Sequence, residues 1–411
     1  MRGPERAWSD PNKAAIAVRK LKEILGLNEK GEVTVGWGAD TDNAIELISS
    51  LFRFSEGVPA NIRYETAHRA VIEARKADAL ELSAVAARIS EKQADYVRKP
   101  FIPYVLLTSL SLRARDRLPR VHLDGASISF ARSAPRRFKM PDRVRRGTLH
   151  HGPPPSAYWS AWIKVKSRDA FSAGVRALQT VDLLRGIWNF RINHGTWRIS
   201  MGAGDAPFNK ILLGPIHTLH HSNGRPADDL IWWEPDYVQP LSPFDVDQHL
   251  VSLKRFEAQV RRGLKNSPHG GVLRDAILRY VRALDERDHS TSFLRLWSLL
   301  EDLTATSNAD HSTTVRRATF LSPDPEFHRL AFDQLRRWRN RIVHEGESAQ
   351  EAERMINEVK SYAEALFLLL LRHGARFKDL SEFGKFLDSP TAPTDIRRRQ
   401  SHLRLALTIR R

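Results

Sequence analysis

The sequence predicts an α+β N-terminal region followed by an all-α helical bundle. Three observations carry this reading. Helical periodicity runs through the first hundred residues, β-branched and aromatic segments crowd the stretch from about 100 to 240, and helical spacing returns from 244 onward. At 411 residues the chain is two to three times the usual domain size, so two domains plus a tail are expected.

Segments 11–27 (PNKAAIAVRKLKEILGL) and 40–54 (DTDNAIELISSLFRF) repeat apolar residues at three- and four-residue steps, the second opening on an Asp or Thr suited to capping. An Ala- and Glu-rich stretch at 61–98 continues the pattern until Pro100 and Pro103 break it. Strands are predicted in YVLLTSLSLRA (104–114), ASISFAR (126–132), AYWSAWIKVKS (157–167), NKILLGPIHTL (209–219) and LIWWEPDYV (230–238). Between them, Phe171, Val175, Leu178, Val181, Leu184 and Trp188 mark a helix over 169–190, and the charged, proline-rich 133–156 segment is expected as an exposed loop. After Pro240 and Pro243 the helical segments are 244–264, 271–286, 290–305, 311–320, 325–344 and 348–373, separated by short polar breaks that favour antiparallel neighbours. The predicted division is therefore a helical segment at 1–100, a mixed α+β domain at 101–242, a bundle at 244–387, and a poorly ordered basic tail at 388–411.

Composition narrows the function. With no cysteine there is no disulfide, no thiol nucleophile and no Cys-ligated metal. The longest apolar run, AEALFLLLL at 363–371, is too short to span a membrane, and MRGPERAWSDP lacks the apolar core of a signal peptide. The expectation is a cytoplasmic protein with no membrane partner. A net charge of +17 favours a polyanion, and its location is informative: residues 132–151 carry a net +6 and residues 395–411 a net +5. Arginine supplies 49 of the 65 cations, and its planar fork grips phosphate and stacks on bases, so RNA or DNA is the better partner. Arg132, Arg136, Arg137, Lys139, Arg143, Arg145 and Arg146 are the candidate RNA contacts. Phe130, Phe138, Tyr158, Trp159 and Trp162 interleave with them as base-stacking residues would, although Trp159 and Trp162 suit a core equally well.

For chemistry the strongest segment is RNRIVHEG at 339–346, in which Arg339 is followed by Asn340 and, four residues later, by His344. Six Arg-x4-His pairs occur where chance gives about two, so spacing alone is weak. Only this pair has Asn after the Arg, and only this one closes a long amphipathic helix (Leu330, Leu335, Trp338, Ile342) that stops at Gly346. Upstream, SFLRLWSLLEDLTA at 292–305 sets Leu294, Trp297, Leu300 and Glu301 on adjoining helical faces.

These pieces, with VRRATFL at 315–321, resemble the HEPN superfamily (higher eukaryotes and prokaryotes nucleotide-binding), most closely its Apea-like branch, over about 244–385. The resemblance implies a helical bundle that dimerises and cuts RNA without a metal or other cofactor, with Arg339, Asn340 and His344 catalytic. It also implies a regulated toxic effector in antiphage defence, whose N-terminal region answers a trigger ligand or protein. Residue chemistry agrees on its own terms. An RNA 2′-OH can attack the adjacent phosphate, so a site need only move two protons and stabilise charge on phosphorus; a histidine can do the first and an arginine the second. Arg339 and His344 are about 140° apart on an ideal helix, so one chain supplies an incomplete cleft and a homodimer through the bundle completes it. Glu301 is a supporting candidate that would hold an arginine.

Weaker candidates are the His217, His220 and His221 cluster, read as a polar loop because it lacks zinc-site spacing and a nearby acid, and MGAGD at 201–205, read as a turn. The alternative function is a non-catalytic RNA- or nucleotide-binding HEPN module in which Arg339 and His344 only ligate phosphate. A DNA-binding regulator is disfavoured, since no helix-turn-helix or zinc-finger pattern is present.

Overall fold

A computed structural model describes residues 4–35, 39–141, 144, 155–198, 206–234, 237, 242–306, 311–345 and 352–410. These belong to two compact units, Met1–Pro103 with Lys166–Gly174, and Tyr104–Val165 with Val175–Arg411.

The first unit is built on α1 (Pro11–Ile24), α2 (Ala39–Leu51), α3 (Ala60–Lys76) and α4 (Leu82–Arg98). Asp10 caps α1, its carboxylate accepting the Lys13 N–H at 3.1 Å, and Pro11 occupies the first helical position, where its missing N–H costs nothing. The apolar stripes of the four helices meet around Trp8, Leu21, Ile45, Val71 and Ile89. The 11–27 helix ends early, at Ile24, because β1 (Leu25–Leu27) turns back to pair antiparallel with β2 (Val33–Val35). The 61–98 stretch divides in two around Asp78, whose φ of 48° an aspartate tolerates but a continuing helix does not.

The second unit holds a six-stranded sheet in the order β5-β6-β7-β3-β8-β9, made of β3 (Ile102–Leu110), β5 (Val121–Leu123), β6 (Ala126–Ala131), β7 (Trp159–Ser167), β8 (Ile216–His221) and β9 (Pro226–Trp233). A short β4 (Leu112–Arg113) pairs parallel with β10 (Phe244–Asp245). The predicted 209–219 strand begins only at Ile216, because Gly214 and Leu213 are occupied by single contacts to Ser109 and Leu110. His217 and His220, expected in a polar loop, are instead buried on β8.

Helix α5 (Ala170–Asn193) is buried almost continuously from Thr180 to Phe190. Trp188 stacks on Phe130 of the sheet at 6.0 Å, whereas Phe190 meets Phe256, Tyr280 and Phe367 of the bundle at 5.5, 5.1 and 4.9 Å. A stretch buried on every side has been given a partner on every side, apolar or ionic. The bundle comprises α6 (Leu250–Asn266), α7 (Gly270–Asp285), α8 (His289–Leu303), α9 (His311–Ala318), α10 (Pro325–Glu345), α11 (Ala352–His373) and α12 (Leu380–Leu387), close to the helices predicted. Gly186 lets α7 approach α5: a Cβ there would lie 2.7 Å from an Ile277 methyl and 3.1 Å from its carbonyl oxygen. Beyond the bundle, α13 (Pro393–Ile409) is a helix with no buried side chain, in place of the irregular tail expected.

Between α5, α7 and the β8–β9 edge lies a buried chain of charges. Arg185, 1 % exposed, donates to Asp182 at 2.7 Å and grips Asp285 with both terminal nitrogens at 2.9 and 2.6 Å. Arg282 bridges Asp182 at 2.6 Å and Glu234 at 2.7 Å, and Glu234 continues to His217 Nε2 at 3.1 Å. Burial would push the Glu234 carboxyl up, but the His217 hydrogen bond and the Arg282 charge together hold it well below the usual carboxylate range. A carboxylate can only accept, so His217 Nε2 carries a hydrogen; its Nδ1 lies 2.7 Å from the Thr108 hydroxyl.

Removing buried Arg185 leaves Asp285, one-fifth exposed, without its counter-charge and Asp182, almost wholly buried, with only one. Arg185→Ala is expected to lower stability by about 3–5 kcal/mol, read from urea unfolding. A loss below about 1 kcal/mol would contradict the account of the network.

Candidate functional site

Helix α10 presents two stripes. The inner stripe runs His328, Phe332, Leu335, position 339 and Ile342, at the alternating three- and four-residue steps of a helix face turned to a core. Phe332 packs on Trp297 of α8 at 5.3 Å and on Tyr362 of α11 at 4.8 Å, and Trp338 beside the stripe meets Phe293 edge-on at 5.7 Å. Arg339 therefore stands, half-buried, where the repeat calls for an apolar side chain. Its Nη1 lies 3.4 Å from Oδ1 of the half-buried Asn340.

The outer stripe runs Phe327, Leu330, Gln334, Arg337, Arg341 and position 344. Phe327 is 62 % and Leu330 68 % exposed, and Arg337 and Arg341 are exposed at the other end, so the stripe is apolar at its start and basic at its finish. His344 lies in the last turn of α10, one turn beyond Asn340 on the same face; its side chain is outside the described residues. Trp297 and Trp338 are both in the core, and the exposed apolar residues of α10 are Phe327 and Leu330 at its start and Val343 near its end.

Glu301, on the last turn of α8, accepts the Trp297 indole N–H at 2.8 Å. It thus steadies the tryptophan on which Phe332 of α10 rests.

The described part of the basic segment forms a strap over the sheet. Arg132, Arg136, Arg137 and Lys139 are exposed; Arg143, Arg145 and Arg146 lie outside the described residues, as do His150, His151 and 201–205. Phe138 is not available for base stacking. It is buried against Val105 and Leu107 of β3 and Trp162 of β7, with the His220 ring 5.1 Å away, and Arg137 lies over its outer face at 4.9 Å. Phe130, Tyr158 and Trp159 are buried as well, and Trp162 is half-buried. The strap is pinned at the β8–β9 turn, where Lys139 N–H donates to the Gly224 carbonyl at 3.0 Å. Gly224 has φ of 88°, and a Cβ on it would collide with the Arg137 backbone.

His217 and His220 of the histidine cluster are buried and hydrogen-bonded within the sheet. Among the described residues no group of histidine and acidic side chains is arranged to hold a metal. His217 does have an acidic neighbour, Glu234, which sequence distance concealed; His220 bonds Thr218 Oγ1 at 2.8 Å and lies 3.3 Å from the Gly224 carbonyl. Burial depresses the His220 imidazole below its usual value, against the pull of that carbonyl. Sequence reasoning also passed over Arg115 and Arg117, which the β4–β5 connection sets beside Arg132. Their signal was only a local RARDR.

The chain matches no protein-family model, no curated protein and no solved structure. No helix of the described residues is long and apolar enough to cross a membrane.

Gly224→Ala should lower stability by about 1 kcal/mol or more and speed tryptic cleavage after Arg136 and Arg137, because the strap must lift to admit the methyl group. Unchanged stability and cleavage would mean that the strap is not held at this turn.

Proposed function

We propose that the protein is a metal-independent endoribonuclease of HEPN type, acting as a homodimer at Arg339, Asn340 and His344. The observation that carries this reading is Arg339 itself: a cation placed on the inner, core-directed stripe of α10, where an apolar residue would pack better and where desolvation makes a charge costly. Retaining it there makes chemical sense if it meets a phosphate. The motif's likeness to the HEPN site supplies the reaction, 2′-OH attack on the neighbouring phosphate.

The outer stripe supports the dimer. A two-fold axis running along α10 would set Phe327 and Leu330 against their symmetry mates and bring two copies of position 344 together at the basic end. In that groove one histidine removes the 2′-OH proton and the other protonates the departing 5′ oxygen, while the long side chain of half-buried Arg339 reaches round α10 from the inner stripe to stabilise the phosphorane. Asn340, a turn below position 344, has the proposed role of orienting an imidazole or a phosphate oxygen. Arg132, Arg136, Arg137 and Lys139, with Arg143, Arg145 and Arg146, bind the RNA backbone. The role proposed for the activity is that of a toxic effector in the cytoplasm, released in antiphage defence by a trigger at the N-terminal region. The second reading, a non-catalytic RNA- or nucleotide-binding module, predicts retained binding and no cleavage.

Purified protein should cut mixed RNA in EDTA, and His344→Ala and Arg339→Ala should each reduce the rate by about 10²–10⁴ with the fold intact by circular dichroism. Full activity in either variant would end the assignment. Phe327→Glu with Leu330→Glu should convert a dimer to a monomer in light scattering and abolish cutting; a monomer that still cuts would exclude the composite site.

A further inference from the structure

At the end of the β6–β7 ladder, where Ala131 pairs with Ser160, the second unit contains a hollow of about 310 Å³. The hollow is lined by Trp162, by the edges of the buried Trp159 and Phe130, and by Arg115, Arg117 and Arg132 against a single acid, Asp116. We propose that this hollow is a nucleotide site, taking one nucleoside phosphate with its base against Trp162 and its phosphate on the three arginines. The site shares Arg132 with the proposed RNA track but does not depend on cleavage at α10.

Four observations support it. The volume is at the lower end for small-molecule pockets, suited to one nucleotide and not to a dinucleotide. The rim has a net charge of +2, complementary to a phosphate monoester dianion. Arg115 and Arg117 are exposed and form no side-chain ion pair with any described residue, so their charge is available, whereas the inner arginines Arg185 and Arg282 are spent on carboxylates. Finally, the site is held in shape before any ligand arrives. Arg132 donates to the Arg115 carbonyl at 2.9 Å, the Arg115 N–H donates to Asp247 at 2.7 Å, and Trp162 is fixed from behind by the Val105, Leu107 and Phe138 cluster. A half-exposed indole fixed on one side and ringed by guanidinium groups is a stacking platform for a base.

A free nucleotide and an unstacked nucleotide of single-stranded RNA present the same chemistry, and the test separates them. The full chain is titrated with mant-AMP, followed by fluorescence anisotropy, and competed with AMP, adenosine, ribose 5-phosphate and a 2′-O-methyl hexa-adenylate that resists 2′-OH attack. Saturable binding is expected, with adenosine and ribose 5-phosphate each competing about tenfold or more weakly than AMP. Trp162→Ala and the pair Arg115→Ser, Arg117→Ser should each weaken binding about tenfold, and Trp162→Phe should restore most of it, with circular dichroism unchanged. Competition by AMP as strong as by the hexamer identifies a free-nucleotide site; competition by the hexamer alone identifies an RNA subsite. Absence of competition by either, or binding that both sets of variants leave unchanged, would overturn the proposal.

Discussion

The second unit depends on how Arg185 is paired. A guanidinium in the centre of a fold is tolerable only if its charge and its donors are met, and here Asp182 and Asp285 meet them from two different helices. The pairing propagates. Arg282 returns from α7 to Asp182 and passes on through Glu234 and His217 to Thr108 on β3, so α5, α7 and the sheet are held in one register by bonds of 2.6–3.1 Å. A one-turn slip of α7 along α5 would separate Arg185 from Asp285 and Arg282 from both Asp182 and Glu234. This is how the sheet, with its basic strap and aromatic hollow, and the bundle, with α10, come to share one compact unit.

A second buried cluster repeats the logic at the C-terminal end of α5. Lys360 Nζ donates to the Asn193 carbonyl at 2.9 Å and lies 3.2 Å from Glu364, which also accepts the Tyr280 hydroxyl at 2.6 Å. Burial together with the Glu364 charge pushes the Tyr280 hydroxyl far above its usual value, which keeps it a donor. The long apolar face of α11 is thereby fixed against α5, and α10 packs on α11 through Phe332 and Tyr362. Position 339 inherits its place from that stack.

Helices were legible wherever their periodicity was long, because a 3.6-residue repeat over fifteen residues has few rivals; hence the bundle helices fall near their predicted ends. Three-residue strands such as β1 and β5 carry no such repeat, and they form because a neighbour supplies the ladder. The misreading of His217 and His220 has the same origin. The partners of His217, Thr108 and Glu234, are brought to it by the pairing of β3, β8 and β9, whereas those of His220, Thr218 and Gly224, lie along its own strand and turn, and a histidine-rich string between glycines looks polar until its donors are counted. Phe138 was misassigned because its basic neighbours point outward while it alone turns in. The ionic chain did leave a trace, as DLLR in α5 and RALD in α7 place opposite charges three residues apart around pairs of apolar residues. Arg339 and His344, and their separation around the helix, were legible as spacing, but which of the two faces the core needed the packing of α10 to be seen.

The reaction proposed for α10 leaves a chemical signature that binding alone does not. If the 2′-OH is the nucleophile, each upstream fragment ends in a 2′,3′-cyclic phosphate and each downstream fragment begins with a 5′-hydroxyl, whatever sequence is cut. Mass spectrometry of the products from a defined RNA, digested in EDTA, reads both ends directly. Cyclic phosphate with 5′-hydroxyl is the predicted result, and a 2′-deoxy substitution at the scissile position should block that cut alone. Fragments carrying a 5′-phosphate, or cutting that ignores the missing 2′-OH, would contradict it.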